Sequence, residues 1–488
     1  MPDPQLCVVA TGRTVQAIVR AREAAEAEAD LVELRLDMLE RPDAAGALAG
    51  RRTPVIVTCR PVRAGGRFEG SDEERLRILR EAHALGAEYI DVDFDALCEP
   101  IIAERQGRGV IVSTHDFTGT PTDLPGLLAA MRRTGAEIVK LATTTETLSD
   151  LIPLLKVGTS DQPTILIGMG ASGVVSRILA ARFRSRWTYA GDAIAPGQLP
   201  VRRMLHEFRF RRIRHDTRVY GVVGRPVMHS LSAAMHNAGF AARGLNAAYV
   251  PLETNDATDF RRFADAIGLR GASVTTPLKM DVVPLLDEVT PIASDAGAVN
   301  TITVTGGRWI GTNTDVDGFL EPLRRRTKTA GLRATILGAG GAARGVALGL
   351  IRAGAAVAIS ARRPDSAREA AAAIGATTTA WPPVPGSWDL LVNATSVGSR
   401  MVPGMPVDVA LDGRIVYDLI YDPPLTPLLK AAQARGCTVI GGLEMLVAQA
   451  ERQFEIWTGQ RPPAGLFQDA AEQTLRGRFE PAQLKMVE

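Results

Sequence analysis

The sequence contains few cysteines and no long apolar run. Its 488 residues include four cysteines, Cys7, Cys59, Cys98 and Cys437, whose spacing matches no CxxC or Cys/His ligand pattern. This usage predicts a reducing compartment and no metal site. No apolar run approaches the roughly 18 residues that a membrane span needs, and the N-terminus shows neither a signal peptide nor a transit peptide. We therefore expect a cytoplasmic protein.

The sequence also lacks a large excess of charge of either sign. The formal net charge is +2, which is too small to attract nucleic acid or an anionic membrane strongly. We interpret the locally basic stretch from Arg202 to Arg218 as a solvated helix end and linker. The expected partners are small-molecule substrates, with no nucleic acid and no membrane. The oligomeric state stays open, and a monomer is one possibility.

The apolar residues that are present follow the pattern of an α/β protein. In the first 215 residues, eight short apolar runs alternate with stretches of helical period: "LCVVA", "LVELRL", "PVIVTC", "YIDVDF", "GVIVST", "EIVKLA", "PTILIGM" and "RWTYAG". This alternation predicts strand–helix units and a parallel sheet. Eight such units close a (β/α)8 barrel, and an open doubly wound sheet is the alternative.

Two further patterns follow, so the length of the chain divides into three predicted domains. New strand patterns start at "RVYGVVG" and at "RATILGAGGAARG". We predict a barrel at residues 1–215, an α/β substrate domain at 216–327 and a Rossmann domain at 328–445. Helices in 446–488 are expected to pack back onto the middle domain, which makes the second half a two-lobed dehydrogenase.

Polar residues cluster at the ends of the predicted barrel strands, where barrel active sites form. The group is Glu33, Arg35, Asp37, Arg60, Ser113, His115, Asp116, Lys140, Ser176 and Arg177. Each of these residues taken alone has an ordinary explanation, such as a surface ion pair. Three arginines, a lysine and a histidine at strand ends of one barrel favour a site.

Lys140 is the most unusual member because it interrupts the buried strand "EIVKLA". A single lysine in a strand can extend its ammonium to solvent. Apolar neighbours and several arginines would instead lower its pKa below the reference value of about 10.4. A neutral amine attacks ketones to form a Schiff base, and His115 could then transfer protons.

The strings "ELRLD", "TCRP", "STHDF", "IVKLA", "SGVVSR" and "APGQ" resemble type I 3-dehydroquinate dehydratase across residues 1–200. The resemblance implies that Lys140 forms the Schiff base and that His115 shuttles protons. It also implies substrate contacts by Glu33, Arg35, Arg60, Arg177 and Gln198. Two departures are Ala64, where many members have glutamate, and Ile194, where many have serine. Arg63 or Arg67 could replace the lost loop contacts.

A glycine turn lies directly after the predicted strand "ATIL". "GAGGAAR" places Gly338, Gly340, Gly341 and Ala342 between this strand and an alanine-rich helix. Such a turn lets a pyrophosphate approach the backbone at a helix N-terminus, although an ordinary tight turn is the alternative. The next strand ends in "SARRPDS", and Arg362 and Arg363 suit the 2′-phosphate of NADP. A solvated arginine pair is the other reading of that loop.

A further polar group lies between residues 219 and 320: Ser230, Ser232, Thr275, Lys279, Asn300 and Asp315. Turns and helix caps explain the serines and Asn300 individually. Lys279 and Asp315 are harder to explain in this way. Reduction of a ketone needs a donor to the developing alkoxide, and a lysine oriented by a carboxylate provides one.

Residues 219–488 resemble shikimate dehydrogenase through "GRPVMHSLS", "VTTPLK", "AGAVNT", "NTDVDGF", "NATSVG", "YDLIYDPPLTPLL" and "GGLEMLVAQA". The resemblance implies that Lys279 and Asp315 are the catalytic pair. It implies substrate contacts by Ser230, Ser232, Thr275, Asn300, Tyr421 and Gln449, and cofactor contacts by Asn393, Thr395, Ser396 and Gly442. Ser273 and Ala361 replace asparagines that are frequent in the family.

Together the two halves resemble the bifunctional dehydratase–dehydrogenase of the shikimate pathway. The resemblance implies dehydration of 3-dehydroquinate to 3-dehydroshikimate, followed by NADPH-dependent reduction to shikimate. One alternative is an NAD-dependent fusion that oxidises quinate or shikimate. The other is a quinate-sensing regulatory protein without catalysis, against which the retained reactive residues argue.

Overall fold

The computed structural model describes residues 3–95, 97–158, 162–191 and 195–479. The chain divides into two compact units. The first contains Met1–Thr217 with the short segments Val250–Thr254 and Arg262–Gly268, and the second contains the rest. In the described part of the chain, no helix is long and apolar enough to cross a membrane.

The N-terminal unit is built on one sheet of eight parallel strands: β1 (Gln5–Ala10), β2 (Leu31–Arg35), β3 (Val55–Thr58), β4 (Tyr89–Asp93), β5 (Val110–Asp116), β6 (Ile138–Thr144), β7 (Thr164–Met169) and β8 (Trp187–Ala190). Neighbouring strands pair in sequence order, and β8 pairs with β1. A bridge between Thr164 and Ser185 nearly closes the ring. The predicted barrel is confirmed, and the open sheet is wrong.

Helices follow the strands of the barrel: α1 (Val15–Ala25), α2 (Ala44–Leu48), α3 (Asp72–Ala84), α4 (Cys98–Arg105), α5 (Leu124–Arg133), α6 (Ile152–Val157) and α7 (Val174–Ile178). Side chains of Thr14, Ser71 and Asp123 accept hydrogen bonds from the first turns of α1, α3 and α5. These caps satisfy backbone N–H groups that a helix leaves unpaired. The strands are continuous apolar runs because helices cover them outside and side chains fill them inside.

A mixed sheet follows the barrel along the chain and contains β9 (Arg218–Gly224), β10 (Ala247–Glu253), β11 (Leu269–Val274), β12 (Glu288–Val289), β13 (Thr301–Thr305) and β14 (Arg308–Thr312). The strand order is β10-β9-β11-β13-β14-β12. Its helices are α8 (Ser232–Ala242), α9 (Ala257–Ile267), α10 (Pro291–Ala296) and α11 (Asp315–Arg324). The carboxyl ends of the parallel strands β9 and β11 lie side by side.

The third sheet is fully parallel and contains β15 (Arg333–Leu337), β16 (Ala356–Ser360), β17 (Thr377–Thr378), β18 (Leu390–Asn393), β19 (Ile415–Asp418) and β20 (Thr438–Ile440). Its order, β17-β16-β15-β18-β19-β20, is the dinucleotide-binding arrangement, so the Rossmann prediction is confirmed. The remaining helices are α12 (Gly341–Arg352), α13 (Pro364–Ile374), α14 (Pro427–Ala434), α15 (Gly442–Thr458) and α16 (Leu466–Phe479).

Helix α15 packs against the mixed sheet of the second unit. Gln453 donates hydrogen bonds to Asn300 O and to Thr301 Oγ1, and Trp457 Nε1 donates to Ile302 O at 3.0 Å. These contacts support the expected packing of the C-terminal region against the middle of the chain, which stays a prediction. Residues 480–488 of the predicted segment lie outside the described residues.

One histidine of this region is buried without a polar partner. His236 is 0% exposed, and neither ring nitrogen forms a hydrogen bond with any described residue. Five aromatic rings surround it, and the ring of Tyr249 stacks on it with centroids 4.5 Å apart. Desolvation lowers the pKa of His236 to about 3. The ring is therefore neutral in the folded protein at any pH near neutrality.

We expect acid to destabilise the second unit through His236. Between pH 6.5 and the folded pKa the unfolded chain binds the extra proton, so the free energy of unfolding falls by up to about 1.4 kcal/mol per pH unit. The His236→Leu variant should remove this contribution. The measurement is the urea midpoint between pH 7 and pH 4, with exposed His206→Gln as the control. Equal acid sensitivity of wild type and His236→Leu would contradict this assignment.

Candidate active sites

The first pocket lies inside the barrel and has a volume of about 70 Å³. Seven predicted residues line it: Glu33, Arg35, Arg60, His115, Lys140, Arg177 and Gln198. Parallel pairing brings them together because the carboxyl ends of all eight strands meet at one end of the ring. The predicted strand-end residues Asp37, Ser113, Asp116 and Ser176 are not among its lining residues.

Two carboxylates contact the ammonium of Lys140. Its Nζ lies 3.0 Å from Asp91 Oδ2 and 3.4 Å from Glu33 Oε2, and the side chain is almost fully buried. The ring of Tyr189 lies beneath, with its centroid 4.3 Å from Nζ. The prediction that cations dominate the surroundings of this amine is therefore wrong. It counted the arginines and missed the carboxylate that β4 supplies.

Asp91 connects the lysine to an arginine. Its Oδ1 accepts from Arg60 Nη2 at 3.1 Å and from Ser113 Oγ at 2.5 Å. Burial alone would raise the pKa of Asp91, but Lys140 and Arg60 outweigh this effect and hold it well below its ordinary value. The carboxylate is therefore ionised, and it fixes both cations at the base of the pocket.

His115 is held by the same guanidinium. Its Nδ1 lies 2.8 Å from Arg60 Nη1, and because a guanidinium only donates, Nδ1 accepts. Arg60 Nη1 also donates to Asp93 Oδ1 at 2.9 Å. Desolvation, followed by the charges of Arg60 and Lys140, lowers the pKa of His115 well below its usual value. A neutral imidazole is the form that can take up a substrate proton.

The other side of the pocket contains polar groups without partners. Arg177 is 3% exposed, its Nε forms no hydrogen bond with described residues, and only Pro196 O accepts from its guanidinium, at 3.3 Å. Gln198 Nε2 is likewise unbonded within the described ranges. Desolvation lowers the pKa of Arg177 to about 10, so it stays charged at neutral pH. A buried guanidinium without a carboxylate suits an anionic ligand.

The loop that departs from the family pattern does not close this pocket with a cation. Ala64 ends a short helical turn, Val62–Ala64, that lies beside Phe117 near Gly65. Arg63 pairs instead with Asp72 at 2.7 Å and with Asp95 at 3.2 Å. Arg67 is exposed, and its backbone N–H donates to Asp37. Neither Arg63 nor Arg67 lines this pocket, so the replacement contacts expected from them stay a prediction, and Ile194 lies outside the described residues.

The second pocket lies in the second unit and has a volume of about 290 Å³. It brings together predicted residues from distant parts of the sequence: Ser230, Ser232, Thr275, Lys279, Asn300, Asp315, Ala342, Tyr421, Gly442 and Gln449. The end of β11, the start of α8 and helix α15 supply half of them. This pocket is larger than the barrel pocket. Its lining includes Ala342 of the glycine turn.

Lys279 and Asp315 form the ion pair that the sequence predicts. Lys279 Nζ lies 2.5 Å from Asp315 Oδ2, and Asp315 Oδ1 accepts from Asn300 Nδ2 at 2.8 Å. Asp315 is 4% exposed and begins α11, where a helix N-terminus favours a negative charge. The carboxylate therefore orients the ammonium while the pocket remains open to a ligand on the lysine side.

The serines lie where an anion is favoured. Ser232 begins α8, and its backbone N–H donates to Ser230 Oγ at 3.2 Å.

Ser273 is 7% exposed and belongs to a hydrogen-bonded chain. Tyr249 Oη donates to Ser273 Oγ at 2.6 Å, and Ser273 Oγ donates to Gln453 Oε1 at 2.7 Å. The sequence did not indicate Tyr249 and Gln453, because the sheet order β10-β9-β11 and the packing of α15 bring them to Ser273.

The glycine turn leaves space for a ligand. Gly338 has a φ of +112°, which few other residues adopt. Gly340 has an extended φ of −81°, and a Cβ built there would meet no atom within 4 Å. Neither backbone strain nor packing requires glycine at 340, so its missing side chain leaves open volume at the N-terminus of α12. This cradle fits a pyrophosphate.

The remaining predicted cofactor residues lie around the same sheet edge. Arg362 and Arg363 are exposed after β16 and form no ion pair within the described ranges. Asn393 ends β18, and its Oδ1 accepts from Thr395 N at 3.1 Å and from Thr395 Oγ1 at 2.7 Å. Asn393, Thr395 and Ser396 do not line the second pocket itself, and Gly442 does.

Four family models match separate parts of the chain. Type I 3-dehydroquinase matches residues 6–215, and the shikimate dehydrogenase substrate binding domain matches residues 222–302. The shikimate 5′-dehydrogenase C-terminal domain matches residues 442–472. The model for coenzyme F420-dependent NADP oxidoreductase matches residues 333–384, the start of the parallel sheet. The matches follow the order of the two pockets along the chain.

Relatives of both halves are similar to this chain. The bifunctional 3-dehydroquinate dehydratase/shikimate dehydrogenase, chloroplastic, of Arabidopsis thaliana is 35% identical over 92% of this chain and 81% of its own. The shikimate dehydrogenase (NADP(+)) of Citrifermentans bemidjiense is 42% identical over 52% of this chain and 94% of its own. A shikimate 5-dehydrogenase structure from Thermus thermophilus with shikimate is 36% identical, covering 53% of this chain and 100% of its own, with a TM-score of 0.48.

Proposed function

Because this chain belongs to the bifunctional 3-dehydroquinate dehydratase/shikimate dehydrogenase family, we propose a division of chemistry between its two pockets. The protein is a lyase and an oxidoreductase of the shikimate pathway. It dehydrates 3-dehydroquinate to 3-dehydroshikimate and then reduces this product to shikimate with NADPH. The observation that carries the assignment is a buried lysine between carboxylates in one unit and a lysine–aspartate pair in the other.

The domain boundaries that we propose follow the same division. Residues 1–215 form the dehydratase barrel, 216–327 with the C-terminal helices of 446–488 form the substrate domain, and 328–445 form the NADP-binding domain. The contacts of Gln453 and Trp457 with β13 residues support the assignment of α15 to the substrate domain.

In the barrel, we propose that Lys140 bonds to the ketone carbon of 3-dehydroquinate and that water leaves to give an imine. The protonated imine withdraws electrons and acidifies the adjacent C–H. Neutral His115 removes that proton, and the hydroxyl then departs with a proton returned by the same ring. Hydrolysis of the imine frees Lys140. Arg177 Nε and Gln198 Nε2 form no hydrogen bond with the described residues, and we propose that these two side chains bind the substrate carboxylate and a hydroxyl.

The ammonium of Lys140 must lose a proton before it attacks. Glu33 and Asp91 face it as a charged pair of acceptors, and His115 is the neutral base of the pocket. We propose that His115 takes this proton and returns it to the hydroxyl that leaves as water when the imine forms, while Arg35 and Arg60 hold the substrate. Asp91 keeps Nζ in place through the exchange, since its ionised carboxylate contacts Arg60 on the other oxygen.

In the second unit, we propose that Ser230 and Ser232 bind the carboxylate of 3-dehydroshikimate at the N-terminus of α8. Thr275, Asn300, Tyr421 and Gln449 contact its ring substituents. Lys279 donates a proton to the developing alkoxide, and Asp315 holds the ammonium in position. When bound, NADPH supplies the hydride. Gly338, Gly340, Gly341 and Ala342 would hold its pyrophosphate, and Asn393, Thr395, Ser396 and Gly442 its nicotinamide end.

NADP selectivity should depend on two exposed arginines. Replacing Arg362 and Arg363 by serine removes two charge-assisted contacts to the 2′-phosphate, each worth about 1.5 kcal/mol. The KM for NADPH should rise by about a hundredfold, while the KM for NADH stays unchanged. Arg368→Ser is the matched control because Arg368 pairs with Asp365 on α13. A strong preference of wild type for NADH would contradict this role and favour the NAD-dependent quinate or shikimate oxidation.

A side chain at Gly340 should exclude the coenzyme without unfolding the protein. In Gly340→Val the branched side chain enters the open volume at the start of α12, and the dissociation constant for NADPH should rise by about a hundredfold. Calorimetric titration with NADPH measures the effect. Gly119→Val, at another glycine with open space around its Cβ, should bind NADPH normally. Normal binding by Gly340→Val would show that the pyrophosphate lies elsewhere.

The coupled reaction tests the whole assignment. The chain supplied with 3-dehydroquinate and NADPH should form shikimate and consume one NADPH for each molecule. Binding of both ligands without turnover would instead favour the non-catalytic regulatory protein.

We also propose a cytoplasmic location, since all four cysteines are free thiols; the Arabidopsis relative is described as chloroplastic. We propose a monomer as the simplest oligomeric state. Light scattering would measure it.

A further inference from the structure

A buried carboxylate lies directly behind the dehydrogenase pocket. Asp418 ends β19 and is paired in register with Asn393, which ends the neighbouring parallel strand β18. Both side chains are 0% exposed. The pair lies at the carboxyl edge of the sheet, where dinucleotide-binding folds place their ligands. Asp418 itself does not line the pocket, but Leu419 and Tyr421 immediately after it do.

Three donors surround the carboxylate, and all of them are neutral. Oδ1 accepts from Asn393 Nδ2 at 2.9 Å and from Ile420 N at 3.1 Å, and Oδ2 accepts from Thr426 Oγ1 at 2.7 Å. The charged groups of the adjoining loops, Arg400 and Asp422, pair with each other at 2.7 Å. Asp418 therefore carries a buried charge with no ion pair among the described residues.

One side of this arrangement fixes a turn. Asn393 Nδ2 donates to Asp418 and to Val397 O at 3.0 Å, while its Oδ1 accepts twice from Thr395. An acceptor at position 418 determines which end of the amide points toward the sheet and which toward Thr395. The segment 393–397, assigned above to the nicotinamide end of NADP, therefore takes its conformation from Asp418.

The other side fixes a segment of the pocket wall. Leu419 N donates to Asn393 O at 3.0 Å, and Gly442 N donates to Ile420 O at 3.2 Å. Ile420 N is tied to Asp418, so the carboxylate connects the wall formed by Leu419 and Tyr421 to the turn after β18. Thr426 continues the connection, because its Oγ1 also accepts from Leu429 N at the start of α14.

We propose that Asp418 is a positioning residue of the dehydrogenase, whose ionised carboxylate holds the 393–397 turn and the Leu419–Tyr421 segment in the arrangement that binds NADPH and substrate. The inference rests on the proposed function of this pocket. It assigns to Asp418 no contact with substrate or cofactor.

A proton on this carboxylate would disturb the arrangement at either oxygen. On Oδ1 it would face two donors, Asn393 Nδ2 and Ile420 N. On Oδ2 it would force the hydroxyl of Thr426 to turn away and lose its acceptor. Desolvation raises the pKa of Asp418 to about 6, although the hydrogen bonds from Thr426, Ile420 and Asn393 oppose it. The carboxylate is ionised above that pH, so the reduction should weaken as the pH falls through about 6.

The test is the pH profile of kcat/KM for NADPH, measured from pH 5 to pH 8 with the full chain and 3-dehydroshikimate. Wild type should show an acid limb near pH 6. In Asp418→Asn this limb should disappear, and the value at pH 8 should fall by about tenfold because the turn is less well ordered. Dehydratase activity of the same sample reports the amount of folded protein.

A second variant should shift the acid limb of the pH profile while Asp418 keeps its carboxylate. Thr426→Val deletes one donor that lowers the pKa of Asp418, so the limb should shift to higher pH. Thr426→Ser keeps the hydroxyl and should leave the limb in place. A limb that persists in Asp418→Asn, or stays unmoved in Thr426→Val, would overturn the proposal. No reduction by wild type at any pH would contradict the proposed function itself.

Discussion

Lys140→Met should abolish dehydration of 3-dehydroquinate while leaving the reduction of 3-dehydroshikimate unchanged. Loss of the nucleophile removes the covalent route, and methionine keeps the length of the side chain. We expect the dehydratase kcat to fall by about four orders of magnitude or more, as in other enzymes that lose a covalent catalyst. The reduction measured on the same sample shows that the variant is folded.

Chemical trapping tests the same residue in the unaltered protein. Borohydride added with 3-dehydroquinate should reduce the imine and fix the ligand on the peptide that contains Lys140. Lys156→Met provides the control, since Lys156 is exposed on α6 and should react and turn over normally. Ligand on a peptide from any other lysine, or dehydration by Lys140→Met at a normal rate, would refute the Schiff-base assignment.

Lys279→Met should lower the rate of 3-dehydroshikimate reduction and leave the dehydration of 3-dehydroquinate unchanged. The ammonium is the proton donor that Asp315 orients in the second pocket, and loss of such a donor costs about 10² to 10⁴ in rate. We expect kcat for the reduction to fall by about a thousandfold, with the dissociation constant for NADPH changed little. Single-turnover measurements at saturating substrate separate the chemical step from binding.

Asp315→Asn makes this prediction more specific. Asparagine keeps the hydrogen bond from Asn300 but removes the charge that orients Lys279 at 2.5 Å, so kcat should fall less than in Lys279→Met. Lys328→Met, at an exposed position after α11, should reduce at the wild-type rate. Parallel losses in dehydratase activity would indicate misfolding rather than chemistry.

The barrel and the Rossmann sheet could be predicted because their signals are local. Eight apolar runs separated by helical stretches correspond to β1–β8, and the strand before "GAGGAAR" is β15. The site residues at strand ends could be predicted for the same reason, since parallel strands place their carboxyl ends together. Lys140, His115 and Arg60 meet in one pocket as that rule requires.

What the sequence did not reveal depends on partners that only the fold brings together. Asp91 in "YIDVDF" reads as an ordinary alternating strand residue, yet it contacts Lys140 and Arg60 across the barrel. Its omission made the environment of Lys140 look cationic. Gln453 and Tyr249 are far apart in the sequence, yet both contact Ser273. No local sequence pattern predicts that contact.

The same difference explains the outcome at Ala64. A departure from the family pattern suggested that Arg63 or Arg67 would take over the missing contacts. Arg63 had nearer carboxylates available on α3 and after β4, and it pairs with those instead. The residue at position 64 therefore did not indicate the partners of Arg63, because the fold determines which carboxylates lie near it.

Gly341 lies where the coenzyme turn and the catalytic lysine touch. A Cβ at this residue would come within 2.8 Å of Lys279 Cβ, so the first residue of α12 and the stem of the proton donor are in van der Waals contact. Even a methyl group there would push the two apart. The innermost backbone of the coenzyme turn and the position of the proton donor therefore cannot change independently of each other.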